Sequence, residues 1–238
     1  MHMIMKTPSI LAAIVLTFGT SLHAQVLNGT FDTDLTDWTA LGDAGVRDAA
    51  AFLTTATSNF PPGDDGLVNF NYSGNDIVDS FTLETGMSVG AGTLDPDPLN
   101  GIFAFEGSFI QQNVFLDVGE FIQFDYNFFT NETSGADYAF ILYDTTLTTI
   151  ASVASAVNAG SYGYTSAVSS GLVAFYGAPV AAAGFYVVTI GIVDAGNDGL
   201  VSSALQLDNI VAIPEPTAAS LALAGAAVLG LLRRRRSA

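Results

Sequence analysis

Residues 121–129 read FIQFDYNFF, and that alternation narrows what the chain can fold into. Ile122, Phe124, Tyr126 and Phe128 fall on one side of an extended backbone, and Gln123, Asp125 and Asn127 fall on the other, the period of a half-buried strand. Strand-like runs recur at 67–72, 101–106, 109–116, 138–144, 172–177, 185–194 and 204–213, separated at short intervals by Gly, Asn, Asp and Pro. Many short strands so punctuated predict an all-β chain folded as a two-sheet, jelly-roll-like sandwich. The turn DVGE at 117–120 predicts a hairpin between 109–116 and 121–129. Helical pattern is sparse: 47–57 and 145–157 are each expected to hold a turn or two, against their threonine and serine content. No fixed repeat is present, which argues against solenoids and propellers and for one domain over 25–212.

Charge then limits the chemistry. Between 25 and 212 the only basic residue is Arg47, set against 22 of the chain's 23 acidic residues, a formal charge of −21. That span has no lysine and no histidine, and the whole chain has no cysteine. A histidine base, a histidine or cysteine zinc site, a lysine Schiff base and a cysteine nucleophile are therefore excluded. One arginine cannot offset a phosphate backbone, so nucleic acid is not a partner. Uncompensated carboxylates repel one another and make divalent cations, calcium first, the natural counterions.

Both ends differ in kind from the middle. Residues 1–24 run from Lys6 through an apolar stretch at 10–19 to SLHA, the order of a secretory signal helix cleaved after Ala24; the apolar stretch is short for a membrane span. At the other end, 213–238 reads IPEPTAASLALAGAAVLGLLRRRRSA. Its apolar run at 217–232 would extend roughly 24 Å as a helix, short of the ~30 Å hydrocarbon core, so it forms a marginal transmembrane helix. Arg233, Arg234, Arg235 and Arg236 behind it fit a cytoplasmic end. Pro214 and Pro216 stop the helix upstream and hold Glu215 extended and accessible.

This order of Pro214, Glu215 and Pro216, an apolar helix and an arginine cluster resembles the PEP-CTERM sorting signal of Gram-negative bacteria. The resemblance implies that an exosortase reads Pro214, Glu215 and Pro216, cuts nearby, and releases or transfers the protein to the cell surface. It also implies a transient hold on the membrane through the C-terminal helix, and an association with extracellular polysaccharide, extracellular matrix and biofilm.

A second resemblance lies in the 25–212 span. Its opening, VLNGTFDTDLTDWTA, and its closing LQLDNIVAI are similar to the first and last strands of galactose-binding-like jelly rolls. Such a fold brings Asn28 and Asp32 towards Asp208, where Asp32 and Asp208 are expected either to share a calcium ion or to stand as solvated acids. Asp194, Asn197 and Asp198 form another oxygen-rich turn, read as a calcium loop or as an ordinary Asx turn. Trp38, the single tryptophan, is either a sugar-stacking ligand residue or a core anchor. The block at 124–144 resembles a stretch recurring in exported bacterial proteins with this kind of C-terminus, and there Asn131, Glu132 and Asp137 are expected to organise a polar loop, with or without a cation.

Together these readings predict an exported, non-catalytic surface protein that contacts glycans, with calcium as its only cofactor. A secreted hydrolase working through two carboxylates, and a structural coat protein without ligand, are the alternatives.

Overall fold

The computed structural model describes residues 25–58, 70–132, 135–143, 146–159, 167–196 and 201–214. The expected signal helix at 1–24 and the sorting tail from Glu215 onward lie outside the described residues. Within them the strands are, in chain order, β1 (Thr39–Leu41), β2 (Ala44–Arg47), β3 (Ala50–Thr54), β4 (Val78–Asp79), β5 (Ala104–Leu116), β6 (Phe121–Thr130), β7 (Tyr138–Tyr143), β8 (Thr146–Ser152), β9 (Asn158–Ala159), β10 (Val168–Ser169), β11 (Val173–Tyr176), β12 (Gly184–Ala195) and β13 (Ser203–Ile213). One short helix, α1 (Ser80–Gly86), joins them.

The strands make two antiparallel sheets, as a sandwich requires. The first has the order β1-β5-β12-β7-β8, with β4 also on β5; the second runs β2-β3-β13-β6-β10-β9, with β11 also on β6. Strand β6 realises the alternation of its sequence. Ile122, Phe124, Tyr126 and Phe128 all point into the core between the sheets, where they meet Ile110, Val114, Val188 and Ile190 from the first sheet. Two smaller clusters cover the outer faces. Leu83 and Met87, from α1 and its C-terminal turn, pack with Leu94 on Phe109 and Phe140. On the other side Phe52, Phe70 and Phe129 form a separate cluster. Strand β3 is therefore buried on both faces, with Ala51 and Leu53 turned inward and Phe52 outward.

Three sequence expectations are corrected. The hairpin between 109–116 and 121–129 does not form: β5 and β6 lie in different sheets, and 117–120 is a corner between them. Gly119 there adopts φ 84°, its N–H donates to Val180 O at 2.9 Å, and the Val180 N–H donates to Glu120 O at 2.8 Å. The turn's local chemistry suits a corner as well as a hairpin, and the long-range pairing with 180 decides between them. The expected helix at 47–57 is the β2–β3 hairpin, turning through Asp48 and Ala49 at φ 52° and 58°. The expected helix at 145–157 contains strand β8 and one 3-10 turn, Val153–Ser155. Segments 101–106 and 109–116 merge in the single strand β5. Of 67–72, only 70–72 are described, and they are not in a strand.

Candidate functional site

The opening and closing motifs meet, as the jelly-roll resemblance implied. Strand β13 carries a bulge where its register with β6 shifts between Asp208 and Val211, and Asn209 sits there at φ 54°. The bulge turns the Ile210 N–H towards Gly29, whose carbonyl accepts it at 2.9 Å. Backbone contact at this point requires glycine, because a Cβ on Gly29 would overlap the Ile210 carbonyl oxygen. Asn28 closes the opening loop by donating from Nδ2 to Asp34 O at 2.9 Å and Thr36 O at 2.8 Å.

Asp32, Asp125 and Asp208 gather beside this junction. Burial raises the Asp208 carboxyl above its usual range, the Asn209 N–H opposes that, and the charges of Asp125 and Asp32 add to it. Asn209 Nδ2 bridges the group, donating to Asp125 Oδ2 at 2.9 Å and Asp208 Oδ2 at 3.4 Å. The expected pair Asp32 and Asp208 is thus brought together, joined by an acid the end motifs did not indicate. These groups are served by protein donors: Thr30 Oγ1 donates to Asp32 Oδ2 at 3.2 Å, and the Asn209 N–H to Asp208 Oδ1 at 2.7 Å.

Trp38 belongs to the core. It is 7% exposed, its ring lies 5.6 Å from that of Phe31, and Nε1 donates to Leu27 O at 3.1 Å and Asn28 O at 3.2 Å. With its ring covered and its N–H used, the indole is an anchor for the opening loop and the sugar-stacking role is set aside.

Asp194 lies at the inner end of β12, and Asp198 lies outside the described residues. Register places Val193 opposite Tyr138 at the end of the β7–β12 pairing, and Asp194 and Asp137 are their neighbours in the chain. Both are buried, at 3% and 0% exposure, and Glu132 beside them is 4% exposed. Asp137 Oδ1 accepts the Ala195 N–H at 3.0 Å, whereas its Oδ2 is buried with no hydrogen-bond partner. Burial, then the charges of Asp194 and Glu132, push the Asp137 carboxyl well above the carboxylate range against the hydrogen bonds from Ser203 and Ala195. Two acidic motifs 55 or more residues apart in the chain therefore converge in one dry place.

An open groove of about 280 Å³ lies between the β7–β8 edge of the first sheet and β11 of the second. Tyr143, Tyr186 and Phe175 line it with Thr146, Thr148 and the 177–181 loop, and none of the lining residues among the described ones is acidic. The Tyr143 and Tyr186 rings stand 5.8 Å apart at 38°, and Phe175 stacks on Phe124 at 4.8 Å. No single sequence feature singled out this groove: its rings come from strands that are far apart in the chain.

Of the sorting residues, Pro214 is described and exposed just past the end of β13, while Glu215, Pro216 and Arg233 to Arg236 lie outside the described residues. Among the described residues no helix is long and apolar enough to cross a membrane.

No curated protein matches the chain. Among solved structures, it is similar to a β-glucosidase from Kluyveromyces marxianus in complex with glucose, at 10% identity and a TM-score of 0.24, over 69% of this chain and 16% of that one. Residues 212–236 match the PEP-CTERM protein-sorting motif, which marks an exported, cell-envelope-associated protein recognised by an exosortase.

Proposed function

We propose that the sandwich at 25–212 is a non-catalytic module of the cell surface or extracellular matrix of a Gram-negative bacterium, and that it binds glycan in the groove beside β8. The observation behind this reading is the groove's composition: aromatic rings and threonine hydroxyls, with no acid among the described lining residues. Rings and hydroxyls suit the apolar faces and polar rims of sugars, and the volume suits one small ligand unit. Glycoside hydrolysis needs a pair of carboxylates flanking the scissile bond, and the lining among the described residues does not supply such a pair. Attachment to the exopolysaccharide would then rest on many weak contacts made by many copies.

A glycan array with the secreted protein tests the binding step. Tyr186→Ala and Tyr143→Ala are expected to weaken any hit by roughly tenfold each, about 1.4 kcal/mol of lost contact. Binding unchanged in both variants would reject the groove, and turnover of surface polysaccharide would reject the non-catalytic role. Sorting has its own test: cells making Glu215→Ala are expected to retain the unprocessed chain in the membrane fraction, and normal processing would show that the exosortase does not read this residue.

A further inference from the structure

We infer that two copies of this chain associate through the uncharged flank of the sandwich, where β8 and β9–β11 run. This contact goes beyond the proposed glycan binding and does not depend on it. The first sign is the distribution of charge. Residues 145–193 contain no Asp, Glu, Lys, Arg or His, although at the average density of 25–212, which holds 23 charged side chains, a run of 49 residues would carry about six. The fold gathers much of that run on one side. Strand β8 ends the first sheet, and at the matching end of the second β10 and β11 pair with β6 and β9 pairs with β10. Tyr126 of β6 donates its hydroxyl to Ile150 O of β8 at 2.8 Å, which ties the two edges together. The opposite flank is different: β1 and β2 have Asp37, Arg47 and Asp48 in them or next to them.

The uncharged flank also has what a protein contact uses. Exposed apolar side chains stand on it: Val157, Leu172 and Tyr176 are 79%, 72% and 63% exposed. Asn158 Nδ2 donates to Ser170 O at 3.1 Å and so holds the segments carrying Val157 and Leu172 side by side. The strand edges are open as well. Among the described residues β8 pairs along one side only, with β7, and β11 along one side only, with β6. From Thr146 to Thr149 β8 runs in unbroken register against β7, and Thr146, Thr148 and Thr149 are exposed. Sheets ordinarily guard such edges with charged side chains, which keep other strands off. Here the sequence leaves charge out.

Charge selects the occupant. A second copy brings the same formal charge of −21 over 25–212, so most approaches of two copies set carboxylates against carboxylates. Flank to flank, that repulsion is least, with Asp125, opposite Ala174 of β11, marking the border on the adjacent strand. A twofold arrangement needs one patch for both partners, because an isologous contact sets the same surface of each copy against the other. Apolar and tyrosine side chains with charge kept away are the composition found at the centre of such contacts.

The test is sedimentation of the secreted protein, without glycan, over a range of concentrations in 0.1 M and 1 M sodium chloride. A monomer–dimer equilibrium is expected, roughly tenfold tighter at 1 M, because the Debye length falls from about 10 Å to about 3 Å and the remaining acids repel less. Weakening at 1 M would overturn the contact in favour of one held by ion pairs. Leu172→Glu is expected to raise the dimer Kd roughly tenfold while leaving Tm unchanged, because the side chain it replaces is exposed. Thr149→Glu is expected to do the same from β8, and it carries the test if the first variant fails to fold. Thr39→Glu, exposed on β1, is expected to leave the Kd nearly unchanged. Monomer at every concentration and salt would overturn the contact, and loss of glycan-array binding in Leu172→Glu would then give the flank to the glycan. A dimer that Leu172→Glu and Thr149→Glu both leave intact would overturn it by placing the contact elsewhere.

Discussion

Asp43 shows how a buried charge is made tolerable in this fold. It is fully buried and accepts four hydrogen bonds, two of them from the backbone of the 72–73 segment, so it fastens that loop to the edge of the second sheet. Asp43→Ala leaves those N–H groups without an acceptor, and chemical denaturation is expected to show a loss of about 3 kcal/mol. A change below about 1 kcal/mol would mean that water takes over the carboxylate's role. The sequence offered no sign of this residue's importance, because the four donors come from segments up to 30 positions away. Asp137 and Asp194 were each visible as members of acidic motifs, but their meeting depends on the β7–β12 register, which no local pattern encodes. Trp38 and the Gly29–Ile210 junction were more legible, because the opening and closing motifs are themselves the parts that touch.

At the scale of elements, what could be read was what one strand decides alone. The two-residue period of 121–129 is a property of β6 itself, and it shows as alternating burial from Phe121 to Tyr126, beyond which both faces are covered. Strand β3 misled because AAFLT is buried on both faces and so lacks alternation, while its alanines favour helix in isolation. Helix α1 was missed because seven residues carry little periodicity; its clearest mark is the cap, Asp79, which accepts the Thr82 N–H at 2.9 Å and hydroxyl at 2.8 Å. Those bonds hold the Asp79 carboxyl below its usual range. A depressed folded-state pKa adds stability that is present above the unfolded value and is lost as pH falls through the folded one. Asp79→Ala should therefore lower Tm at pH 7, with the gap to wild type closing in acid below about pH 4. A gap independent of pH would assign the effect to something other than the charged cap. The corner at 117–120 makes a second test. Gly119→Ala places a Cβ at φ 84° and is expected to cost about 1–2 kcal/mol by denaturant titration.

The whole molecule adds an effect that no residue or element contains. With a formal charge of −21 over 25–212, mutual repulsion among the acids opposes the compact state everywhere at once. Simple salt should relieve it, because the Debye length falls from about 10 Å at 0.1 M to about 3 Å at 1 M. In the presence of chelator, Tm is therefore expected to rise by several degrees between those concentrations of sodium chloride. The buried carboxylates respond differently, since screening reaches charges in water and leaves those in a dry site nearly untouched. Asp137→Asn should then keep the full sodium chloride effect, which separates diffuse surface repulsion from charge held in the interior. If the variant lost that response, the repulsion would be concentrated at the β7–β12 end of the sandwich.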